Sequence, residues 1–466
     1  MGLRLFNTLS QKVEDFQPLD EGQVRMYSCG PTVYHFVHIG NFRTFVFQDL
    51  LRRQILYSGY RLLHVMNITD VEDKIIARAQ EEGLSIQEYT EGYTRSFLDD
   101  MQTLRIQQSE IMPRATEHVP EMVALIRRLE EKGLTYQRRG STYFRISALP
   151  DYGKLSGIQL EDAPAQAGTD DADEYSKENP RDFVLWKAHR PGEANWETDL
   201  GAGRPGWHIE CSAMAMKYLG ESFDIHCGGI DLIFPHHENE IAQSEGATGK
   251  PFVRYWVHAA HLIVDGEKMS KSKGNFFTLR DLLDKGYSPV ALRYLLASVH
   301  YRRQLNFTES ALQQAEAALQ RVDDFLLRIR EVPDDRPGLP DLAVATARAR
   351  QEFEAAMNND LNTSEALGAL FKLVRRANRA LENGTVGGVD RDRIIDLFSD
   401  VNRIFDVFRI DLPELEDGAI LERIREREEA RRSRDFAESD RIRDELALQG
   451  VVLEDTKEGT RWKKIR

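Results

Sequence analysis

The sequence contains few cysteines and no long hydrophobic run. Three of its 466 residues are cysteine, namely Cys29, Cys211 and Cys227. So few thiols cannot form the disulfide framework of a secreted protein, which predicts a reducing, cytoplasmic environment and leaves the thiols available for a metal. No apolar run approaches the roughly 20 residues that cross a bilayer, so we expect no membrane insertion. The first twenty residues also lack the apolar stretch of a secretory signal.

Basic residues are outnumbered by acidic ones. The chain has 62 Lys and Arg against 76 Asp and Glu, a formal net charge of −14, so we do not expect nucleic acid to be attracted over the whole surface. One local candidate is the C-terminal segment, where basic residues surround Trp462 in a combination that suits phosphate and base contacts. A solvated tail is the alternative. The basic residues are Lys457, Arg461, Lys463, Lys464 and Arg466.

The N-terminal pattern predicts a doubly wound α/β fold. A short apolar strand, VRMYS, leads through the loop CGPTVYHFVHIGN into a segment with apolar residues at helical spacing, from Phe42 to Ile55. A second strand, RLLHVMNIT, follows Gly59. This order makes a βαβ crossover, which builds a parallel sheet with helices on its faces. We therefore expect a Rossmann-like, doubly wound parallel domain.

Composition changes divide the chain further. Short strands and an acidic loop after about residue 115 indicate an insertion that splits the sheet, and Pro- and Asp-rich breaks at 332–341 and 412–418 divide the helical remainder. Asp265-Gly266 predicts a hairpin turn, and Thr278 and Ser288 predict helix starts. We expect a first half-sheet in 1–115, a connective insertion in 116–204, the second half-sheet in 205–265, a KMSKS-containing region in 266–320, a helical bundle in 321–411 and a small α+β module in 412–466.

Two short motifs point to nucleotide chemistry. HIGN, from His38 to Asn41, lies at a turn between strand and helix, where backbone N–H groups and the helix dipole favour an anion. A plain tight turn has the same pattern. KMSKSKGN, from Lys268 to Asn275, places three lysines within six residues, which can neutralise a triphosphate during nucleotidyl transfer. A surface loop is the alternative, but the presence of both motifs favours an enzyme that uses a nucleotide.

Thiols, imidazoles and carboxylates form a candidate metal site. The candidates are Cys29, Cys211, His236, His237, Glu238 and Glu240, and none has the C-x-x-C spacing that indicates zinc from sequence. If a helix starts at Pro235, His236 and Glu240 are four apart on one face and could reach one ion. Cys29 and Cys211 would complete a tetrahedron if the fold brings them together. Each residue alone is also compatible with a purely structural role.

Together, HIGN and KMSKS resemble the paired motifs of class I aminoacyl-tRNA synthetases. Further blocks make the chain similar to the cysteinyl-tRNA synthetase family from residue 4 to its end. These blocks are YSCGPTVY, NITDVEDKI, GRPGWHIECSAM, DLIFPHHENEIAQSE, KMSKSKGNFFTLRDLL and VVLEDTKEGTRWKK, in family order. Asn41 stands where the superfamily motif has its second histidine. Cys227 stands where the family favours glycine, and a bystander, a spare ligand and an oxidation-sensitive thiol are all compatible with the sequence.

The resemblance implies roles for individual residues. The zinc ligands would be Cys29, Cys211, His236 and Glu240. The substrate cysteine would be bound by Gly30, Thr32, Thr69, Trp207 and His226. ATP would be bound by His38, Gly40, Asn41, Gly229, Asp231, Lys268 and Lys271. Of these, His38, Lys268 and Lys271 would act in catalysis.

The implied function is ligation of L-cysteine to tRNA(Cys) by a monomeric enzyme with one Zn²⁺ per chain. Cysteine and Mg-ATP would form cysteinyl adenylate, and the cysteinyl group would pass to the 3′-terminal adenosine of the tRNA. A pocket gives only about 1 to 3 kcal/mol per small group, so zinc, which accepts sulfur readily, would separate cysteine from serine without an editing domain. The region 266–320 would contact the tRNA stem, and the bundle and the C-terminal module would recognise the anticodon. The alternatives are a ligase that couples cysteine to an amino sugar and a catalytically silent tRNA-binding paralogue.

Overall fold

The computed structural model describes residues 2–159, 177–270, 274–410, 418–433, 435–448, 451–456 and 459–464. The chain forms two compact units, Met1–Phe408 and Arg409–Arg466. Most of the acidic loop expected at 161–180 lies outside the described residues, and so does Lys271. Among the helices described in both units, none is long and apolar enough to cross a membrane.

A parallel sheet forms the centre of the first unit. Its first half comprises β1 (Arg4–Asn7), β2 (Lys12–Asp15), β3 (Gln23–Ser28), α1 (Ile39–Tyr57), β4 (Arg61–Met66), α2 (Asp73–Glu82) and α3 (Ile86–Thr103). β1 and β2 form an antiparallel pair, and β3 pairs with β4 in parallel across the α1 crossover. The apolar residues of α1 from Phe42 to Ile55 that repeat at helical spacing are buried. The predicted βαβ unit is confirmed.

An antiparallel sheet interrupts the parallel one. Its elements are α4 (Val119–Glu131), β5 (Thr135–Arg138), β6 (Ser141–Phe144), β7 (Phe183–Ala188) and β8 (Gly203–Pro205). The four strands pair in chain order. β6 is one of the short strands expected in the insertion; it ends at Phe144, and Ile146–Ala148 form a 3₁₀ turn. The Ile146 N–H donates to Asp182 Oδ1 at 3.0 Å. This backbone group is therefore bonded to a side chain instead of to a neighbouring strand.

The second half of the parallel sheet follows. It comprises α5 (Trp207–Leu219), β9 (Phe223–Gly229), α6 (Glu238–Thr248) and β10 (Val253–Ala259). The short strands β11 (Leu262–Val264) and β12 (Glu267–Lys268) come next and belong to a separate sheet. All pairings in the order β10-β9-β3-β4 are parallel. Because the chain winds outward in both directions from β3 and β9, the predicted doubly wound fold is confirmed. The helix predicted to start at Pro235 begins at Glu238, after the short turns Ile230–Leu232 and Ile233–His237.

The rest of the first unit is mainly helical. Its elements are α7 (Leu279–Asp284), α8 (Pro289–Ser298), β13 (Leu305–Phe307), α9 (Glu309–Arg330), α10 (Pro340–Asn358), α11 (Thr363–Glu382) and α12 (Gly388–Phe405). Thr278 and Ser288 cap α7 and α8 as predicted. Asp265 and Gly266 form the predicted hairpin turn, with φ of 49° and 80°. β13 pairs in parallel with β11 and was not predicted, because three residues are too few for a periodic signal.

A buried ionic cluster joins α1 to the helical part. Asp49 Oδ2 lies 2.9 Å from Arg53 Nε and 2.5 Å from Arg293 Nη2, and the side chains of Asp49 and Arg293 are fully buried. Arg293 Nε also donates to the Phe405 carbonyl at 2.7 Å, and Arg53 pairs with Asp406. These contacts hold α1 against α8 and the end of α12.

The second unit is a small α+β module. It consists of α13 (Gly418–Arg432), α14 (Phe436–Leu448), β14 (Val451–Thr456) and β15 (Gly459–Lys464), and its two strands form an antiparallel hairpin. Its core contains Ile420, Ile424, Ile442, Leu446, Val451 and Leu453. Trp462, the aromatic residue of the predicted basic patch, is partly buried against this core. Lys457 and Arg466 of that patch lie outside the described residues.

Candidate active site

A cavity of about 260 Å³ opens at the carboxyl ends of β3 and β9. Doubly wound sheets bind ligands at this point, where the strand order reverses. Eleven of the sixteen predicted site residues line the cavity: Cys29, Gly30, Thr32, His38, Asn41, Thr69, Trp207, Cys211, Gly229, Asp231 and His236. Of the other five, Gly40, His226, Glu240 and Lys268 lie outside this lining, and Lys271 is not among the described residues.

One wall of the cavity is built where β3 and β4 end. The Gly30 N–H donates to Asn67 Oδ1 at 3.0 Å, and a Cβ at residue 30 would lie 1.7 Å from the Asn67 carbonyl oxygen. No residue with a Cβ can be accommodated at position 30, because the Asn67 backbone lies too close. Thr32 and Thr69 form a parallel bridge beside it, and Asn67 Nδ2 donates to Thr69 Oγ1 at 3.0 Å. Asn67 was not predicted, although its place at the end of a parallel strand is the signal that indicates it.

The HIGN turn presents His38 to the cavity. His38 is the N-cap of α1, and its Nδ1 accepts a hydrogen bond from the Asn41 N–H at 3.2 Å. In the neutral ring the proton is therefore on Nε2, which makes that atom a donor suited to a phosphate oxygen. The turn also lies at the N-terminus of a 19-residue helix, whose dipole favours negative charge.

The segment that carries KMSKS packs against HIGN. The Ile39 N–H donates to the Phe277 carbonyl at 3.0 Å. A Cβ on Gly40 would come within 2.9 Å of both Met269 Cε and His38 Nδ1. Glycine at this position therefore allows the two motifs to touch, although they are far apart in the sequence.

Four buried side chains meet at the base of the cavity. Cys29 Sγ and Cys211 Sγ are 4.0 Å apart, and His236 Nε2 lies 3.2 Å from Glu240 Oε1. One ligand atom from each of the four residues lies within 4.8 Å of all the others, an arrangement that could hold a metal ion. Cys29 follows β3, Cys211 belongs to α5, His236 lies in the turn Ile233–His237 and Glu240 lies at the start of α6, which follows that turn directly. The predicted ligands thus converge from three segments.

The geometry and chemistry of these donors suit zinc. Zinc–sulfur bonds of about 2.3 Å in a tetrahedron place two sulfurs roughly 3.8 Å apart, close to the separation of Cys29 and Cys211. Burial, reinforced by Cys211, raises the pKa of the Cys29 thiol well above its usual range. Burial alone would lower the pKa of His236, but Cys211 and Glu240 raise it to about 10. The cluster therefore favours positive charge, which a divalent cation would supply.

A second, overlapping group of donors shares Cys29 and Glu240. His226 and His237 complete it. His226 Nε2 lies 3.0 Å from Glu240 Oε2, and His237 Nε2 lies 3.3 Å from Cys29 Sγ. The predicted cysteine-binding residue His226 is fully buried and stacks on Trp256, with ring centres 4.6 Å apart. It contacts the carboxylate of Glu240 from behind the cavity wall rather than facing the cavity.

Trp207 forms a wall beside the donor cluster. Its ring stacks on His236 with centres 4.4 Å apart and retains 39% exposure, so one face is open to the cavity. His208 Nδ1 lies 2.9 Å from His236 Nδ1. This contact, together with that between His236 Nε2 and Glu240, fixes the orientation of the His236 imidazole.

Asp231 and Gly229 line the cavity from the end of β9. The Asp231 side chain is 66% exposed, and its carboxylate is accessible to a ligand. A Cβ on Gly229 would lie 2.3 Å from Asp231 Oδ1, so a glycine at this position leaves space for the carboxylate. The pair can accept hydrogen bonds from a hydroxylated ligand such as a ribose.

Cys227 belongs to neither donor group and lies in β9, in the middle of the parallel sheet. Its side chain is fully buried, with Sγ 3.0 Å from Ser28 Oγ. Burial raises its pKa to about 12. A buried thiol that stays protonated is chemically inert, which favours the bystander among the three interpretations.

Comparison with known proteins accounts for the whole chain. A family model described as tRNA synthetases class I (C) catalytic domain matches residues 15–317, a DALR domain matches 352–410, and a cysteinyl-tRNA ligase anticodon binding domain matches 419–462. The cysteine–tRNA ligase of Solibacter usitatus is 51% identical over 466 residues, and that of Koribacter versatilis is 47% identical over 495 residues. Each alignment covers 100% of both chains.

A solved structure matches the fold alone. Mycobacterium tuberculosis methionyl-tRNA synthetase bound by methionyl-adenylate superposes with a TM-score of 0.64 and 13% identity. The match covers 82% of this chain and 92% of that one. The parallel sheet and the helical part that follows it are therefore arranged as in a class I synthetase.

Proposed function

Because this chain belongs to the cysteinyl-tRNA synthetase family, we propose that it selects L-cysteine with one zinc ion, activates it with ATP and transfers it to tRNA(Cys). The chain is a class I aminoacyl-tRNA synthetase, an ATP-dependent cysteine–tRNA ligase. Its partners are accordingly L-cysteine, ATP and tRNA. We further propose that it acts as a monomer in the cytoplasm.

The observation that carries the zinc proposal is the convergence of four buried donors at the base of the cavity. Cys29, Cys211, His236 and Glu240 would hold the ion, as the resemblance to the family implies. Of the two donor groups, this one contributes three cavity-lining residues, whereas His226 and His237 lie behind the wall. When bound, zinc supplies a preference for the sulfur of cysteine over the hydroxyl of serine.

The walls of the cavity would orient the substrate cysteine. Trp207 offers an apolar face next to the donor cluster. The small side chain of the substrate cysteine would lie against this face, close to His236. Gly30, Thr32 and Thr69 lie where β3 and β4 end and present backbone and hydroxyl groups to the substrate's polar end. His226 would act indirectly, by holding the carboxylate of Glu240 in place.

Adenylate formation joins a cysteine carboxylate oxygen to the α-phosphorus of ATP and releases diphosphate. His38 would donate from Nε2 to a phosphate oxygen, with Gly40 and Asn41 in the same turn. Lys268 and Lys271 would neutralise charge on the departing diphosphate, since they flank Met269, which packs on the HIGN turn. Asp231 and Gly229 would bind the ribose.

Transfer to tRNA would use the parts of the chain outside the split sheet. We propose that 266–320 contacts the acceptor stem and that the helical bundle 321–411 and the module 412–466 recognise the anticodon region. The described hairpin of the module carries Arg461 and Trp462. Because the net charge is −14, binding should depend on few phosphate contacts, which salt weakens. The insertion 116–204 is not assigned an editing role.

Cysteine-dependent exchange between ATP and diphosphate tests this proposal, with serine as the control and zinc content measured on the same sample. Exchange with cysteine only, one zinc per chain and subsequent charging of tRNA would support every step. Exchange without charging would favour the ligase that couples cysteine to an amino sugar. No exchange, with tRNA still bound, would favour the silent paralogue.

A further inference from the structure

The residues that lead into α6 present side chains to two opposite sides. His236 and Glu240 contribute ligand atoms to the donor group proposed to hold zinc. Glu238 lies midway between them along the chain and therefore on the other side of the helical turn. The sequence made Glu238 a candidate metal ligand too, but it belongs to neither donor group found among the described residues. Its carboxylate is used elsewhere.

Glu238 binds the backbone of the connective insertion. The residue is 1% exposed, and the loop 149–158, which follows β6 and its 3₁₀ turn, offers it three N–H groups. The Gly153 N–H donates to Oε1 at 3.0 Å, and the Leu155 and Ser156 N–H groups donate to Oε2 at 3.1 Å and 2.8 Å. N–H groups that converge on one carboxylate in this way form an anion-binding nest. The charge of Glu238 is therefore compensated by backbone groups of the insertion.

The loop is shaped for this contact. Gly153 has a φ of 100°, and a Cβ there would lie 1.9 Å from the Ile158 carbonyl oxygen, so only glycine allows the chain to fold back at this point. The residue after Glu238 binds the same loop, because the Tyr152 hydroxyl donates to Asn239 Oδ1 at 2.6 Å. Two consecutive residues of α6 thus hold this loop.

The loop and the donor segments share one hydrophobic core. Tyr152 and Leu155 belong to the same cluster of buried residues as Cys211 of α5 and Ile241 of α6. Such a core is closely packed and transmits small displacements. The insertion is therefore packed against the segments that carry the donors rather than folded as a separate unit.

A second contact joins the insertion to the donors. Phe183 of β7 meets His208 of α5 edge-on, with ring centres 5.7 Å apart. His208 Nδ1 in turn lies 2.9 Å from His236 Nδ1. The insertion thus reaches His236 from the α5 side, and it reaches the α6 side through Glu238.

We propose that the connective insertion holds the zinc site in shape, with Glu238 as the positioning residue that fixes His236 and Glu240 relative to the other ligands. Glu238 itself touches neither the ion nor the substrate. The inference rests on the proposed function, because it requires zinc at the donor group that contains Cys211. It gives the insertion a part in the selection of cysteine. Because such coupling is reciprocal, zinc should in turn stabilise the loop that binds Glu238.

The first test measures the zinc affinity of the full-length protein by competition with a chelator. Glu238→Gln keeps the size of the side chain, but one acceptor oxygen becomes an NH₂ group that faces N–H donors. The variant should bind zinc about ten-fold more weakly, the lower end of the effect expected when the support of metal ligands is altered. The KM for cysteine in ATP–diphosphate exchange should rise, whereas the KM for ATP should stay the same, because the HIGN turn is not disturbed.

Lys154→Gln is the matched control. Lys154 lies in the same loop and pairs with Glu245, which is on α6 but beyond the ligands. Both side chains are partly exposed, and ion pairs of this kind contribute little. This variant should match the wild type in zinc affinity and in both KM values. A purely structural Glu238 would lower the free energy of unfolding but leave zinc affinity equal in the two variants, which would overturn the inference.

Amide hydrogen exchange of the wild-type protein gives a readout that requires no variant to fold. The amides of residues 153–156 should exchange with solvent more slowly when zinc is bound than after chelation. Amide exchange that zinc does not change would overturn the inference, even if Glu238→Gln failed to fold. Failure of the proposed function would be visible in the wild type alone, which would then bind no zinc or show no cysteine-dependent ATP–diphosphate exchange.

Discussion

Gly30→Ala is the substitution for which the structure predicts the most specific loss. The added Cβ would lie 1.7 Å from the backbone carbonyl oxygen of Asn67 and 2.9 Å from the carbonyl carbon of the same residue. A carbon–oxygen contact needs about 3.3 Å, so the ends of β3 and β4 would have to separate by roughly 1.5 Å. The hydrogen bond from the Gly30 N–H to Asn67 Oδ1 would be strained or lost.

This displacement would occur inside the site. Cys29, the neighbour of Gly30, is a proposed zinc ligand, and Thr69 of the opposite strand end lines the cavity. A misplacement of about 1 Å can cost on the order of 10²-fold in rate. We therefore expect kcat/KM for cysteine-dependent ATP–diphosphate exchange to fall about 100-fold, together with a loss of bound zinc.

Gly92→Ala provides the matched control. Gly92 lies within α3, and a Cβ there would meet nothing within 4 Å. Alanine should stabilise the helix by roughly 0.5–1 kcal/mol and leave exchange unchanged. If Gly30→Ala retained exchange within a factor of two of the wild type, with zinc bound, the close approach to Asn67 would not be a requirement of the site.

Four further predictions concern the proposed zinc site, the proposed catalytic lysine Lys271, the buried ionic cluster and the pH dependence of stability. Cys211→Ser should remove zinc and the preference for cysteine over serine together, and metal analysis with exchange assays would detect retention of either. Lys271→Ala should depress exchange while sparing equilibrium binding of cysteine, and an unchanged exchange rate would contradict its assigned role. Asp49→Asn removes the carboxylate that pairs with the fully buried Arg293, while Arg53 keeps its pairing with Asp406. The free energy of unfolding should fall by about 3 kcal/mol; a loss below about 1 kcal/mol in urea denaturation would show that the cluster is not a paired unit. Burial lowers the pKa of His64 to about 3, so the unfolded chain binds a proton below about pH 6.5 that the folded chain does not. Stability should therefore fall as the pH drops from about 6.5 towards 3, and His64→Gln should flatten that fall, as thermal unfolding at a series of pH values would reveal.

Local signals in the sequence predicted local structure well. Asp265-Gly266 formed its hairpin because both residues adopt positive φ, a conformation that this dipeptide tolerates. Ser288 capped α8 because its hydroxyl accepts the Ala291 N–H. Each of these signals depends on a few consecutive residues. By contrast, β13 is stabilised by pairing with β11, and a three-residue strand whose partner is distant leaves no periodic signal in the sequence.

The walls of the cavity could not be predicted from local sequence patterns, because they depend on contacts between residues that are far apart in the chain. Asn67 shapes the cavity through its backbone oxygen, which approaches Gly30, and through its side-chain amide, which bonds to Gly30 and Thr69. Its position after a parallel strand is the one signal of this role in the sequence. The contact between Gly40 and Met269 likewise requires that two loops from opposite halves of the sheet meet. Sequence spacing could suggest that glycine was needed at these positions, but only the fold identifies the group that each one accommodates.

The choice between the two donor groups depends on the direction in which each one faces. Spacing along the chain favours His236 with Glu240, yet His237 lies just as close to Cys29, at 3.3 Å. Both groups are fully buried and share two members, so ligand chemistry does not separate them. A metal that selects a substrate must have a coordination position open to that substrate. Only the group with Cys211 and His236, in the described part of the chain, has most of its members in the cavity wall. The sheet topology, which brings α5 beside the turn before α6 at the carboxyl ends of β3 and β9, therefore favours His236 over His237 as the histidine of the proposed zinc site.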